Sequence, residues 1–398
     1  MRSSPLCVTA FTATCAAGAG SSALAQALRL RRGGLRPNDF SPTPLATWIG
    51  RVPGLEDEPL PGELAPWDCR NNRLAWRGLA EDGFRERVAE ARARRGAHRI
   101  ALVLGTSTSS IGATEDGYRR VQSDGRFPPD LRRPMVHTPH SLADCLQRAL
   151  GLEGPCVTVA TACSSSAKVF AHAERLIRLG LADAAVVGGA DTLCGSVLYG
   201  FNSLGLLAEE PCRPFDPARR GLSLGEAAGF ALLEPDGDGP WLLGYGESSD
   251  AHHMSSPHPD GRGARRAILE ALARADLDAS EVDYINLHGT ASRLNDEVEG
   301  RVLAELYPHE TFASSTKGWT GHVLGAAGIV EAAITLLAMQ MGVAPGTLNS
   351  SSVDPACGPQ IRLDNEPRDI RHAASHSFGF GGSNCVLLFG RERPSSVR

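Results

Sequence analysis

Short apolar runs alternate with helix-patterned stretches along both halves of this 398-residue chain, and that alternation most narrows the folds open to it. In the first half Ile100–Gly105 (IALVLG) reads as a buried strand, Ser141–Leu150 as a helix and 155–161 as a strand. A helix over 164–179, closed by Gly180, and a strand over 184–187 follow. In the second half Arg262–Ala275 reads as a helix, 284–287 as a strand, 325–341 as a helix and 385–389 as a strand. Strands of this kind, too apolar to face water on either side, imply an α/β sheet covered by helices on both faces. The segment 222–233 also reads as strand-rich, and the Pro-Asp-Gly turn at 235–237 separates the halves.

Composition excludes several function classes. With 40 Lys plus Arg against 45 Asp plus Glu, the net charge is -5, so no basic field supports nucleic-acid binding. The ten cysteines form no CxxC pair, which suggests reduced thiols in a cytoplasmic protein. His252, His253 and His258 cluster without HExxH spacing or an acidic neighbour at ligand spacing, so no metal is expected. The N-terminal stretch is interrupted by Thr9, Thr12 and Thr14, and is expected to form a first strand over 7–10 rather than an export signal. The run 324–344 is long enough to span a bilayer, but Glu331 and Gln340 make it a buried helix instead.

The strongest local signal is TVATACSSSAKVFAHAERLIRLG, an apolar strand entering a tight turn of small residues and then an amphipathic helix. It sets Cys163 at a helix start. There unpaired N–H groups and the dipole favour a thiolate and can hold a developing oxyanion. The geometry is that of a nucleophile elbow with sulfur in the serine position; a packed small residue fits the same local pattern.

Other segments add chemistry. INLHGTASRLND places His288 at a strand end, followed by Gly289, Thr290 and Ser292. Only two of the 40 cationic residues are lysines, Lys168 and Lys317; the first reads as a helix-surface cation, the second as a compact ammonium with a task. His322 then precedes a Gly/Ala-rich helix whose one ionisable group is Glu331, a carboxylate expected to be buried and paired with Lys317 or a water. SHSFGFGGSNCVLLFG places Phe378, Gly379, Phe380, Gly381 and Gly382 before an apolar strand, where a peptide N–H can face a reacting oxygen. ARARRG (91–96) reads as the solvated face of a helix over 81–95, with acid–base pairs at helical spacing.

Taken in order, ACSSS, HGT followed by Asp296, KGWTGHVLGAAG with Glu331, and SFGFGGSN resemble the elongating β-ketoacyl-carrier-protein synthases of fatty acid and polyketide assembly. RPFDPARRG (213–221) and SSDAHHMSSPHPDG (248–261) extend the resemblance over nearly the whole chain. It implies an α/β, thiolase-like fold with two similar halves in a layered α-β-α-β-α arrangement, here 1–237 and 238–390. The polar composition of 391–398 (RERPSSVR) separately leads us to expect a disordered tail. The resemblance also implies that Cys163 takes an acyl group from a thioester. His288 and His322 would bind the malonyl carbonyl and assist loss of carbon dioxide, with Lys317 and Glu331 holding charge and orientation. The amides of Cys163 and Phe380 would form an oxyanion hole, and the Phe378–Gly379–Phe380 element would shield the site from water. Thr290 and Ser292 would hydrogen-bond a phosphopantetheine arm, and Ile111 and Met254 match positions near the acyl chain. No cofactor is implied beyond the phosphopantetheine delivered by an acyl carrier protein. A homodimer, or a heterodimer with a homologous subunit, is implied too.

Two histidines rather than a His–Asn pair or a second catalytic cysteine favour the elongating class, and Cys385 reads as a strand residue. Departures from the resemblance are Arg220 in place of an acidic residue, Ala160, Trp319, Ala291 and Arg293. They leave room for a type II polyketide or aryl polyene pathway. The alternative is a partner subunit of the chain-length-factor kind; such subunits lack the cysteine that this chain keeps. A cysteine acyl hydrolase would need water at the thioester, which the Phe378–Gly382 element opposes.

Overall fold

A computed structural model describes residues 4–394. One large sheet runs through both halves, and each half gives five strands to its continuous path: β1 (Leu6–Cys15), β2 (Ile100–Gly105), β3 (Cys156–Val159), β4 (Ala184–Asp191) and β5 (Ala227–Glu234), then β6 (Trp241–Ser249), β7 (Tyr284–Asn286), β8 (Phe312–Ser314), β9 (His372–Gly379) and β10 (Ser383–Gly390). Their spatial order is β3-β2-β4-β5-β1-β6-β10-β9-β7-β8. Counted from the first strand of each half, both follow the order 3-2-4-5-1. The pairing senses repeat as well. β3, β2 and β4 are parallel while β5 and β1 run antiparallel, and β8, β7 and β9 are parallel while β10 and β6 run antiparallel. Leu6 and Cys7 pair with Leu242 and Trp241, joining the two units at β1 and β6.

Helices α1 (Arg70–Leu79), α2 (Ser165–Arg178), α3 (Arg262–Ala275), α4 (Arg293–Leu306) and α5 (Ala327–Met341) complete the layers. α2 packs on β2 and β4 and also on β10, while α5 packs on β5 and β1 and also on β9. Both helices therefore lie between the two sheet halves, against each other, with α1 outside the first and α3 outside the second. This gives the α-β-α-β-α layering. It explains why α5 is apolar on every face: Ala327 through Met339 are buried without exception. The stretch Leu324–Met341 has the length and hydropathy of a membrane span, yet 89% of it is buried inside the fold. The two central helices touch closely at Gly328, where a Cβ would lie 2.4 Å from the Ala167 backbone nitrogen.

Several elements differ from the sequence reading. β1 runs on to Cys15 because it pairs with β5 along its length through a bulge between Val8 and Ala10. The helix expected over 81–95 starts at Phe84, since Asp82 and Gly83 adopt positive φ and break it. Its Arg94 and Arg95 reach across to Glu234, and Arg95 also to Asp236, rather than pairing along the helix. Lys168 is not a surface cation; only 15% of its side chain is exposed, and it lies 3.5 Å from Glu247 of β6. Of the expected tail, Arg391 binds Asp369 and Ile370, and the Arg393 guanidinium lies over Trp241; 395–398 fall outside the described residues.

Candidate active site

β3 ends at Val159, and α2 begins at Ser165 after five intervening residues. Between them Ala162 takes φ 52, a left-handed turn that costs a non-glycine residue about 1 kcal/mol and throws Cys163 towards the space between the halves. Serines brace this turn: Ser165 Oγ accepts from the Thr161 amide (2.9 Å) and donates to the Ala162 carbonyl (2.6 Å). Ser166 Oγ accepts from the Ile329 amide of α5, tying the two central helices together.

The second half supplies the partners. Cys163 Sγ lies 2.9 Å from His322 Nε2. His288 follows β7, and its ring stands edge-on to that of His322 with centroids 5.5 Å apart. Lys317 Nζ donates to the His288 carbonyl and to Glu331 Oε1, and lies 3.4 Å from His288 Nδ1. The expected pairing of Glu331 is therefore direct, without a bridging water. Because an ammonium donates to Nδ1, that nitrogen accepts, and His288 carries its proton on Nε2.

Burial governs the electrostatics. It holds both imidazoles well below the usual histidine range, reinforced by Lys317, so both are neutral. It pushes the Glu331 carboxyl up to about 7, against the pull of Lys317. It also pushes the Cys163 thiol up to about 11, although Lys317 and the Phe380 amide both favour the thiolate. The helix start was expected to stabilise a free thiolate. Desolvation in a fully enclosed position outweighs it, so the resting group is a thiol.

The Gly-rich element closes the site from the other side. Phe380 N–H faces Cys163 Sγ, and a Cβ on Gly379 would lie 3.2 Å from the Cys163 nitrogen. The Phe380 ring stacks on Phe201 at 5.4 Å, and Phe378 sits between the rings of His288 and His376. Cys163, His288, His322, Phe378, Gly379, Phe380, Thr290 and Ser292 line one cleft of about 380 Å³; Lys317 and Glu331 stand behind it. Thr290 and Ser292 share a 2.9 Å hydrogen bond at its wall. Ile111 and Met254 do not line this cleft and are exposed, although the Met254 carbonyl accepts from the Gly381 amide of the closing element.

Sequence reasoning missed several supports. Glu299, one turn beyond Asp296 on α4, accepts from the amides of His288 and Gly289 at 2.8 Å each and so fixes the His288 turn. Its spacing from Asp296 on one helix face was the available signal. Asp191, at the end of β4, accepts from Thr106, Ser107 and Thr108 of the first half and from the Gly325 amide just beyond His322. Nothing local in GGADTL marks that role. Trp319 is fully buried and donates to the Ala27 carbonyl, so its bulk serves packing behind the site. Arg220 and Arg293 lie exposed at the cleft mouth, whereas neighbouring Arg219 is buried and bonds Asp354 and the Arg293 carbonyl.

Comparison with known proteins matches this arrangement. Residues 71–238 fit the model of the beta-ketoacyl synthase N-terminal domain, and 241–351 that of its C-terminal domain. Nodulation protein E of Rhizobium meliloti (strain 1021) is 35% identical over 305 residues, 73% of this chain and 75% of that protein. The mitochondrial 3-oxoacyl-[acyl-carrier-protein] synthase of Arabidopsis thaliana is 38% identical over 60% of this chain and 57% of its own. Among solved structures, a chain from the complex of the ketosynthase ApeO with its chain length factor ApeC, from Xenorhabdus doucetiae, superposes with TM-score 0.90. It is 37% identical, over 97% of this chain and 98% of that one. The ishigamide ketosynthase/chain length factor gives TM-score 0.89 at 26% identity, covering 99% and 100%. The chain belongs to the beta-ketoacyl synthase family of condensing enzymes.

Proposed function

We propose that this chain transfers an acyl group from a carrier thioester to Cys163 and condenses it with malonyl-carrier protein by decarboxylative Claisen chemistry. The observation that carries this reading is the convergence of Cys163, His322 and His288 in one enclosed cleft, with the Phe380 amide on the sulfur. In the first step the Cys163 sulfur displaces the sulfur of the arm, which departs as a thiol with the proton Cys163 gives up. The amides of Cys163 and Phe380 hold the oxyanion. In the second, neutral His288 and His322 donate hydrogen bonds to the malonyl thioester oxygen as the carboxylate leaves as carbon dioxide. The resulting enolate carbon attacks the acyl–Cys163 carbonyl and expels the Cys163 thiolate. Lys317 keeps the His288 proton on Nε2, the nitrogen facing the substrate, and Glu331 balances the ammonium.

Thr290 and Ser292 suit the amides of a phosphopantetheine arm, which arrives on the carrier and makes a bound cofactor unnecessary. Ile111, exposed in a single chain, suits a pocket completed by a homologous subunit, in a homodimer or heterodimer. The halves 1–237 and 238–390 then each supply part of one site. Ten free cysteines suit a cytoplasmic setting.

The test is to incubate the protein with acyl-carrier and malonyl-carrier thioesters. A β-ketoacyl product and carbon dioxide are expected, with an acyl adduct on Cys163 by mass spectrometry. Cys163→Ala is expected to abolish both adduct and product. Condensation by that variant, or plain thioester hydrolysis by the wild type, refutes the proposal.

A further inference from the structure

The Cys163 sulfur and one ring nitrogen each from His288 and His322 all lie within 4.8 Å of one another. All three side chains are buried, and all three line a cleft whose mouth carries exposed residues. One sulfur and two imidazoles form a borderline-soft donor set that suits zinc-class cations. Three protein ligands with the fourth position open to water is how zinc sits in sites that keep an exchangeable ligand. We propose that this cleft also binds one thiophilic divalent cation of the zinc class through Cys163 Sγ, His288 Nε2 and His322 Nε2, and that the bound ion blocks acyl transfer. The blockade rests on the reading of Cys163 as nucleophile; the binding does not.

The fit needs small changes. Bonds near 2.3 Å to sulfur and 2.0–2.1 Å to nitrogen place tetrahedral ligands roughly 3.6 Å apart, so the 2.9 Å gap between Sγ and His322 Nε2 must widen. Rotation of one short side chain into the cleft supplies that. The thiol gives its proton to solvent as the sulfur–metal bond forms, and no electron is transferred. Ligation through His322 Nε2 moves its proton to Nδ1, a buried nitrogen without a hydrogen-bond partner among the described residues, and so removes the donor that the malonyl oxygen would use.

His288 differs. The Lys317 ammonium donates to its Nδ1 and keeps the proton on Nε2, the nitrogen the cation needs; ligation moves that proton to Nδ1, and the ammonium gives up its contact there while keeping the His288 carbonyl and Glu331. Lys317 also places a positive charge beside the site. The residue that readies His288 to donate to an enolate therefore weakens metal binding, and removing it is expected to tighten binding.

The full-length protein is titrated with cadmium ion, whose thiolate complexes absorb in the near ultraviolet. Separately, zinc ion is tested for protection of Cys163 from iodoacetamide, read by peptide mass spectrometry. One equivalent of cadmium absorption is expected, absent in Cys163→Ala and weakened about tenfold or more in His322→Ala. Zinc is expected to slow Cys163 labelling at least about tenfold, and Lys317→Met to tighten cadmium binding about tenfold. No absorption, equal absorption in Cys163→Ala, full affinity in His322→Ala, or unprotected labelling overturns the site. Neither measurement uses substrate, and condensation is assayed with chelator present. A failed metal site thus leaves the condensation reading standing, and a failed condensation leaves the metal site standing.

Discussion

The loop from β3 to α2 and the loop from β8 to α5 occupy the same station in the two halves, between the third strand and the central helix. The first is five residues long, Ala160 to Ser164, uncharged, and holds Cys163 by a left-handed Ala162 and a set of serine hydroxyls. The second is twelve residues long, Ser315 to Ala326, and carries both Lys317 and His322, with Glu331 on the helix that follows. One scaffold position thus presents a nucleophile in one half and hydrogen-bond donors in the other. The difference lies in what each must stabilise. A thioester-forming sulfur needs a tight turn with free amides. Placing a neutral imidazole with a fixed tautomer needs a charged residue behind it, and that charge needs a counter-ion. The halves also lock each other, because Asp191 of the first half accepts from the Gly325 amide of the second loop.

The largest expected effect breaks the charged side of this comparison. Glu331→Ala leaves the Lys317 ammonium buried without its carboxylate, and stability is expected to fall by about 3–5 kcal/mol in denaturant titration. The double variant Lys317→Met with Glu331→Met removes both charges and is expected to recover most of that stability without restoring malonyl decarboxylation. A double variant that restores both would show the pair to be structural only. Among the described residues the first loop is held by serine hydroxyls and not by an ion pair of its own, so this separation of stability from chemistry is specific to the second loop.

Next in size is the contact between the two central helices. Gly328→Val places side-chain atoms against the Ala167 backbone at a separation no Cβ tolerates. The expected cost is about 1–3 kcal/mol, with the strain directed at the helix that starts beside Cys163. The urea midpoint and Cys163 acylation are expected to fall together. Unchanged acylation at a lowered midpoint would mean that the loops are held independently of the helix contact.

Much of this was legible beforehand because it is local. The strand–turn–helix around Cys163, the strand end at His288 and the uniformly apolar α5 each follow from residue order and periodicity. Lys317 stood out by its rarity among arginines, and Glu331 by its isolation on an apolar helix. What stayed hidden depends on contacts between segments far apart in sequence. Asp191 meets Gly325 across 134 positions, and Lys168 meets Glu247 only because α2 lies between the sheets. The state of Cys163 was misjudged for the same reason. A helix start is visible in sequence, but full enclosure of the sulfur by both halves is not, and enclosure sets the thiol's proton affinity.

The smallest expected effect sharpens the comparison through pH. His288 and His322 stay neutral well below the pH at which an ordinary histidine protonates, so they contribute no acid limb near 6.5. Glu331 is the group behind the second loop that titrates in this range: ionised above about 7, it takes up a proton as pH falls through that value. Its bond to Lys317 then changes from ion pair to neutral acceptor, a loss of about 1 kcal/mol, or roughly fivefold in rate. Malonyl decarboxylation, which does not draw on the Cys163 thiolate, is therefore expected to decline by that factor between pH 8 and pH 6. Glu331→Gln removes the titrating group and is expected to flatten the decarboxylation profile over this interval at a lower plateau. The buried Asp296 carboxyl is also pushed up to about 7, so an inflection that persists in Glu331→Gln and also in Glu331→Gln with Asp296→Asn would assign the limb to a histidine and contradict the neutrality that burial imposes on the pair.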